Sequence, residues 1–256
     1  MGSLYIRSIK EGLRMLKRRC LCLAAIAVLL VFGSVADGAL LFSDDFERDA
    51  VGKEPGNFEM YDHPHNSGSF SMEVAEDPVG ESGNVIHTFG YALWVPKAAG
   101  RDDWSDFICE WDWMWANTGE FPGTAFRITG ENYYHFSPRD DNVSLGFWYY
   151  DGGWNQVGDL VQYDFGTNIW NRYQVIMEGD QLSLKVKRRD DPTPFTDIDP
   201  LIAVTEGNLE SGPISICGSD TDAWVDNVVV AESEEDMLAA VEPSSKLSTT
   251  WGSIKR

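Results

Sequence analysis

The segment Phe107-Ile-Cys-Glu-Trp-Asp-Trp-Met-Trp115 constrains the fold more than any other part of this chain. Large apolar residues dominate its odd positions, and Glu110 and Asp112 fall on two of the even ones. A period of two fits a pleated strand, whose alternate side chains point to opposite faces, and does not fit a helix of period 3.6. Three tryptophans on one parity need a deep apolar layer to receive them. The odd face therefore reads as core and the even face as outside.

The same alternation returns in Val143–Tyr150. Tyr173–Met177 and Leu182–Val186 flank Gly179-Asp180 and read as a hairpin. Further strands are predicted near Leu40–Phe46, Ser69–Val74, Asn84–Phe89, Ala125–Thr129, Tyr133–Phe136, Pro213–Cys217 and Ala223–Val230. Loops rich in Gly, Pro, Asp and Asn separate them: Val51–Asn57, Asn117–Gly123, Ser137–Asp141 and Arg189–Pro200. Many short strands with turn signals between them predict an all-β fold, a two-sheet antiparallel sandwich or jelly roll. One short helix is predicted at Glu232–Val241, followed by a polar tail.

At 256 residues the chain has room for one substantial domain or two small ones, and 43% hydrophobic residues with ten Trp supply a core. Its net charge of −21 argues against nucleic-acid binding, which rests on Lys and Arg neutralising phosphates. It equally disfavours docking on anionic lipid.

Residues 1–36 differ from the rest. Lys10, Arg14, Lys17, Arg18 and Arg19 precede an uncharged apolar run from Leu21 to Phe32, and Ser34-Val35-Ala36 places small residues before a cleavage point. Twelve apolar residues fit a secretory signal and fall short of the roughly 20 that span a bilayer. The expectation is a signal peptide at 1–36, one domain at 37–231 and a C-terminal helix or flexible tail at 232–256. The protein would then be exported, without membrane insertion after cleavage. Cys109 and Cys217 would remain, either as one disulfide or as two buried thiols.

Four segments resemble the laminin-G-like jelly rolls of the concanavalin A-like lectin/glucanase superfamily. They are Phe42-Ser-Asp-Asp-Phe-Glu47, Asp106-Phe-Ile-Cys-Glu-Trp-Asp112, Ile169-Trp-Asn-Arg-Tyr-Gln-Val175 with Glu178-Gly-Asp-Gln-Leu-Ser-Leu184, and Ala223-Trp-Val-Asp-Asn-Val-Val229. They stand in the family's order across residues 40–231. The resemblance implies a concanavalin A-like sandwich but no single activity, since such folds host lectins, hydrolases, lyases and adhesion modules.

In the glucanase branch a Glu-x-Asp-x-(x)-Glu strand carries the catalytic carboxyls. Here Glu110 and Asp112 are followed by Met114 and Ala116, so the last Glu is missing. Retaining hydrolysis needs two carboxyls about 5–5.5 Å apart. The reading is therefore a carbohydrate-binding or adhesion module with a glycan as partner. Glu110, Asp112, Arg127 and His135 would supply polar contacts, and Trp148 and Tyr150 stacking surfaces for the apolar faces of sugars. Trp94, Trp104 and Trp154 are further aromatic candidates at strand ends. The alternatives are a glycoside hydrolase or polysaccharide lyase of the same fold, and a purely structural envelope or matrix protein whose tail is a docking tag.

The resemblance further implies a structural calcium between the first and closing strands, with Asp226 as a ligand and Asp45 contributing. Asp62-His63-Pro64-His65 is a weaker candidate for a transition metal. Asn142-Val143-Ser144 fits a glycosylation acceptor.

Overall fold

The computed structural model describes residues 38–240 except 65, 82, 117–122, 140–142 and 219–221. The expected signal segment, the tail beyond 240, His65 and Asn142 lie outside the described residues. No helix among the described residues is long and apolar enough to cross a membrane.

Among the described residues, fifteen strands form two antiparallel sheets packed face to face, and one α-helix follows the last strand. The strands are β1 (Leu40–Asp44), β2 (Phe58–Met60), β3 (Ser67–Glu76), β4 (Asn84–Tyr91), β5 (Leu93–Pro96), β6 (Phe107–Trp115), β7 (Gly123–Thr129) and β8 (Asn132–Pro138). They continue as β9 (Ser144–Tyr150), β10 (Trp154–Gln162), β11 (Asn171–Glu178), β12 (Gln181–Arg188), β13 (Ile202–Thr205), β14 (Ser215–Cys217) and β15 (Ala223–Ala231). The helix α1 spans Glu234–Ala240. An eight-stranded sheet runs β13-β12-β11-β6-β15-β4-β3, with β1 also paired to β15. A seven-stranded sheet runs β10-β9-β8-β7-β14-β5-β2.

The inside and outside of β6 fall as its alternation predicts. Phe107, Cys109, Trp111, Trp113 and Trp115 enter the main core between the sheets, where they meet Phe126, Tyr134, Phe136 and Phe147 from the other sheet. Trp111 stacks on Tyr173 of the neighbouring strand at 5.4 Å between ring centroids. Burying several such rings between two sheets is the main apolar stabilisation of this layered design.

The outer face of β6 is covered as well. Met237 of α1 packs with Ile108, Val229 and Ala231. Trp170 packs with Met114 and Val85. The hairpin at Gly179-Asp180 forms in full register, with Asn171 opposite Arg188 and Glu178 opposite Gln181.

Strands β2, β5, β10 and β13 were not predicted from the sequence. Strand β10 explains why: Trp-Asn-Gln-Val-Gly-Asp-Leu-Val-Gln buries little beyond Val157 and carries almost no hydrophobic signal. It survives as the edge strand of its sheet, with a register shift between Val157 and Val161 where Gly158 takes φ 73°. A bulge at an edge with glycine in the left-handed region is a common way to bend and end pairing.

Cys109 and Cys217 are free thiols, not a disulfide. Cys109 points into the layer between the sheets, and Cys217 packs with Tyr133 and Leu93 on the far side of the seven-stranded sheet. Side chains that leave their sheets toward different layers cannot bridge. Burial pushes the Cys217 thiol up to about 12 and raises Cys109 well above its ordinary value.

Candidate functional site

Glu110 and Asp112 share the outer face of the eight-stranded sheet, as their spacing requires. Asp112 nevertheless has no exposed surface. Arg172, opposite it on β11, grips both carboxylate oxygens, Nε to Oδ1 at 2.6 Å and Nη2 to Oδ2 at 2.8 Å. Arg189 brings Nε to 3.3 Å from Oδ2. The Asn227 amide donates to the same oxygen at 2.8 Å.

Asn227 reaches it because β15 bulges between Asp226 and Val229, with Asn227 at φ 51°, a conformation Asn tolerates better than most residues. Burial works against the charge on Arg172, but the Asp112 hydrogen bond and charge prevail and hold the guanidinium firmly protonated. This is a closed ion network, and Asp112 is not presented to a ligand.

Glu110 is partly buried beside it and accepts a hydrogen bond from the Gln174 amide at 2.7 Å. Burial raises its carboxyl above the ordinary range, while Gln174 and Arg172 pull the other way. With Asp112 held by arginine, the two carboxyls do not form a nucleophile and acid pair open to a glycosidic bond.

Arg127 corrects another expectation. It sits on β7 of the other sheet at φ 48°, almost wholly buried. Its guanidinium donates to the backbone carbonyls of Ser105, Gly179 and Leu209 at 2.6–3.0 Å. Burial lowers its pKa, opposed by Tyr134 and Asp106. Arg127 ties three loops together rather than orienting a ligand.

Asp226 is also fully buried. Arg189 donates to its Oδ2 at 3.1 Å, and the Asn227 backbone N–H to its Oδ1 at 2.8 Å. Asp45 accepts from the Glu47 backbone N–H. Calcium needs six to eight oxygen ligands, and an aspartate already serving a guanidinium does not fit that role. No group of three His, Cys, Asp or Glu suited to a metal occurs among the described residues. His63 is buried, its Nε2–H donating to the Glu131 carbonyl.

The remaining three expected residues, His135, Trp148 and Tyr150, lie together on the outer face of the seven-stranded sheet. In register His135 stands opposite Trp148, and Tyr133 opposite Tyr150. Inward neighbours Tyr134, Phe136, Leu145 and Phe147 fill the core, so the even positions of β9 and the odd positions of β8 face outward. Tyr133 and Tyr150 stack at 5.2 Å. Trp154, opposite Tyr150 on β10, stands edge-on to Tyr150 at 5.1 Å, to His135 at 5.2 Å and to Tyr133 at 5.9 Å.

Exposure separates these rings. Trp154 is 46% exposed and Tyr150 partly so, whereas His135 and Tyr133 are buried. Trp148 is only 8% exposed, and the Arg139 guanidinium lies 5.1 Å from its ring centroid. Among these rings the exposed ones are therefore Trp154 and, in part, Tyr150, and Trp148 is mainly packing. Trp94 and Trp104 belong to the core.

Sequence reasoning placed Trp154 at a strand end and did not find the strand that presents it. It also missed Arg172, Arg189, Asn227 and Gln174. An arginine at even parity beside the core-facing Tyr173 was the available signal for Arg172.

No protein-family model and no curated protein matches this chain. Among solved structures, domain 4 of AbnA, a GH43 extracellular arabinanase from Geobacillus stearothermophilus in complex with arabinotriose, matches at TM-score 0.51. The identity is 9%, over 80% of this chain and 99% of that one. The carbohydrate-binding module CBM66 from Bacillus subtilis matches at TM-score 0.48 and 16% identity, over 66% and 98%. The catalytic domain of the glycoside hydrolase family 131 protein from Coprinopsis cinerea matches at 0.47 and 10%, over 77% and 96%. At these identities the likeness concerns the fold. The chain is a two-sheet antiparallel β-sandwich of jelly-roll architecture.

Proposed function

We propose that this protein is a carbohydrate-binding module that engages a glycan on the outer face of its seven-stranded sheet. The observation that carries this reading is the placement of Trp154. A large ring, half exposed at a sheet edge, is braced edge-on against Tyr150 and the buried Tyr133 and His135. A braced ring loses little freedom on binding, and its apolar face suits the C–H face of a sugar. The arabinanase domain that shares the fold was solved with arabinotriose, which recommends neutral polysaccharides as first probes.

Binding without hydrolysis is favoured because Asp112 is held in its ion network and Glu110 has no open acid partner there. Export through the 1–36 segment accords with an extracellular glycan as partner.

Affinity gel electrophoresis on arabinan, xylan, galactan, glucomannan, fructan and β-glucan tests the reading. At least one polymer is expected to retard the full chain. Trp154→Ala should weaken that retention by tenfold or more, the scale of a tryptophan hot spot. Unretarded wild type on all six, or unchanged retention in Trp154→Ala, overturns the proposal.

A further inference from the structure

The outer face of β9 and β10 carries more than the Trp154 platform. Leu160, past the bulge of β10, is 42% exposed. A side chain at Gly146 would meet Leu160 Cδ2 at 2.6 Å and the Trp148 ring at 2.9 Å, so both residues lean over that glycine on the outward side. The row therefore begins at Trp154 opposite Tyr150 and ends at Gln162 opposite Ser144. Along β9 those ends are Tyr150 and Ser144, six residue steps apart, about 20 Å at 3.3–3.4 Å per residue.

Polar groups alternate with the apolar ones along this row. The Gln156 Nε2 donates to the Gly158 carbonyl and the Gln162 Nε2 to Ser144 Oγ, each at 2.8 Å. Each amide is thereby oriented, with its Oε1 left to accept from a hydroxyl. Trp154 and Leu160 are both exposed, and β10 is the edge strand of its sheet. Asp151 and Asp159 flank the row at exposed positions and Arg139 lies beside Trp148, but the chain's net charge of −21 disfavours uronates and sulfated sugars.

Building on the glycan reading above, we propose that this row takes several consecutive units of a linear, neutral polysaccharide laid along the β9–β10 strand direction, rather than a single sugar. Trp154 anchors one end of the bound stretch and Leu160 supports the other.

Isothermal titration of the full chain with neutral oligosaccharide ladders of one to six units, prepared from the same six polymers, tests the inference. Affinity should rise at least tenfold from two units to four. Leu160→Asp should weaken the four- to six-unit ligands at least fivefold while leaving disaccharide binding within twofold. Trp154→Ala should weaken every length. Thermal melts of both surface variants verify folding. Full affinity already at one or two units, or an equal loss at all lengths in Leu160→Asp, overturns the inference and leaves the glycan reading standing. Absence of binding at every length overturns both.

Discussion

On the outer face of the eight-stranded sheet, Asp112 has no exposed surface and is held by Arg172, Arg189 and Asn227. On the outer face of the seven-stranded sheet, Trp154 has nearly half its surface in solvent, supported from below by other rings. Both faces arise from alternating strands over a shared core. They differ in what lies across them: α1 and the residues from Arg189 to Phe195 lie over the first, while the β9–β10 edge of the second stays open. Polar residues on a sheet face thus have two fates. Under cover they must pair completely, because an unpaired buried charge is expensive; in the open they are available to a ligand.

The sharpest way to break this comparison is Asp112→Ala. Removing one member of a buried ion network leaves the other charges uncompensated, and the expected loss is roughly 3–5 kcal/mol by chemical denaturation. Glycan retention by the folded fraction should stay unchanged. A loss of binding equal to that of Trp154→Ala would mean that the two faces are one functional unit. Trp154→Ala is the mirror case: losing its ring contacts costs about 0.5–1.5 kcal/mol, well below the loss at Asp112, while binding falls.

A smaller effect sharpens the electrostatic side. The Glu110 carboxyl is raised above its unfolded value by burial, so the fold favours its protonated form. The linked stability is fully present below the unfolded pKa and is lost as pH rises through the folded one. Glu110→Gln keeps an uncharged side chain at every pH. The wild type should therefore gain thermal stability relative to Glu110→Gln as pH falls from 7 toward 4. Parallel melting curves across that range check the sign, and the opposite trend would show that Arg172 and Gln174 dominate over burial.

The smallest effect expected is that of chelation. With Asp226 already paired to Arg189, EDTA should shift the melting temperature by less than about 1 °C, an effect near zero on the scale at which a real stabilising ligand acts. A larger drop, reversed by calcium, would place a cation on the covered side of the molecule and require its ligands to be sought beyond Asp226.

Much of the fold was legible because its elements announce themselves locally. The alternation through Phe107–Trp115 predicted both the strand and its buried parity, and Gly179-Asp180 marked the hairpin that forms in register. Strand β10 was illegible for the complementary reason. An edge strand whose main buried side chain is Val157 leaves little pattern to read, yet it presents Trp154 and Leu160. Arg127 misled because an arginine on an apparently outward strand position looks like a ligand contact. A bulge between Phe126 and Thr129 and a left-handed φ turn it instead toward three backbone carbonyls.

The sequence by itself determined that Trp111 and Trp113 face inward and that Glu110 and Asp112 face outward, because side-chain alternation is a property of a single strand. Only the tertiary structure decided that outward would mean sealed at Asp112 and open at Trp154. The groups that close over Asp112 come from 60 residues away at Arg172 and 115 away at Asn227, and no local pattern encodes which distant segment will cover a given face.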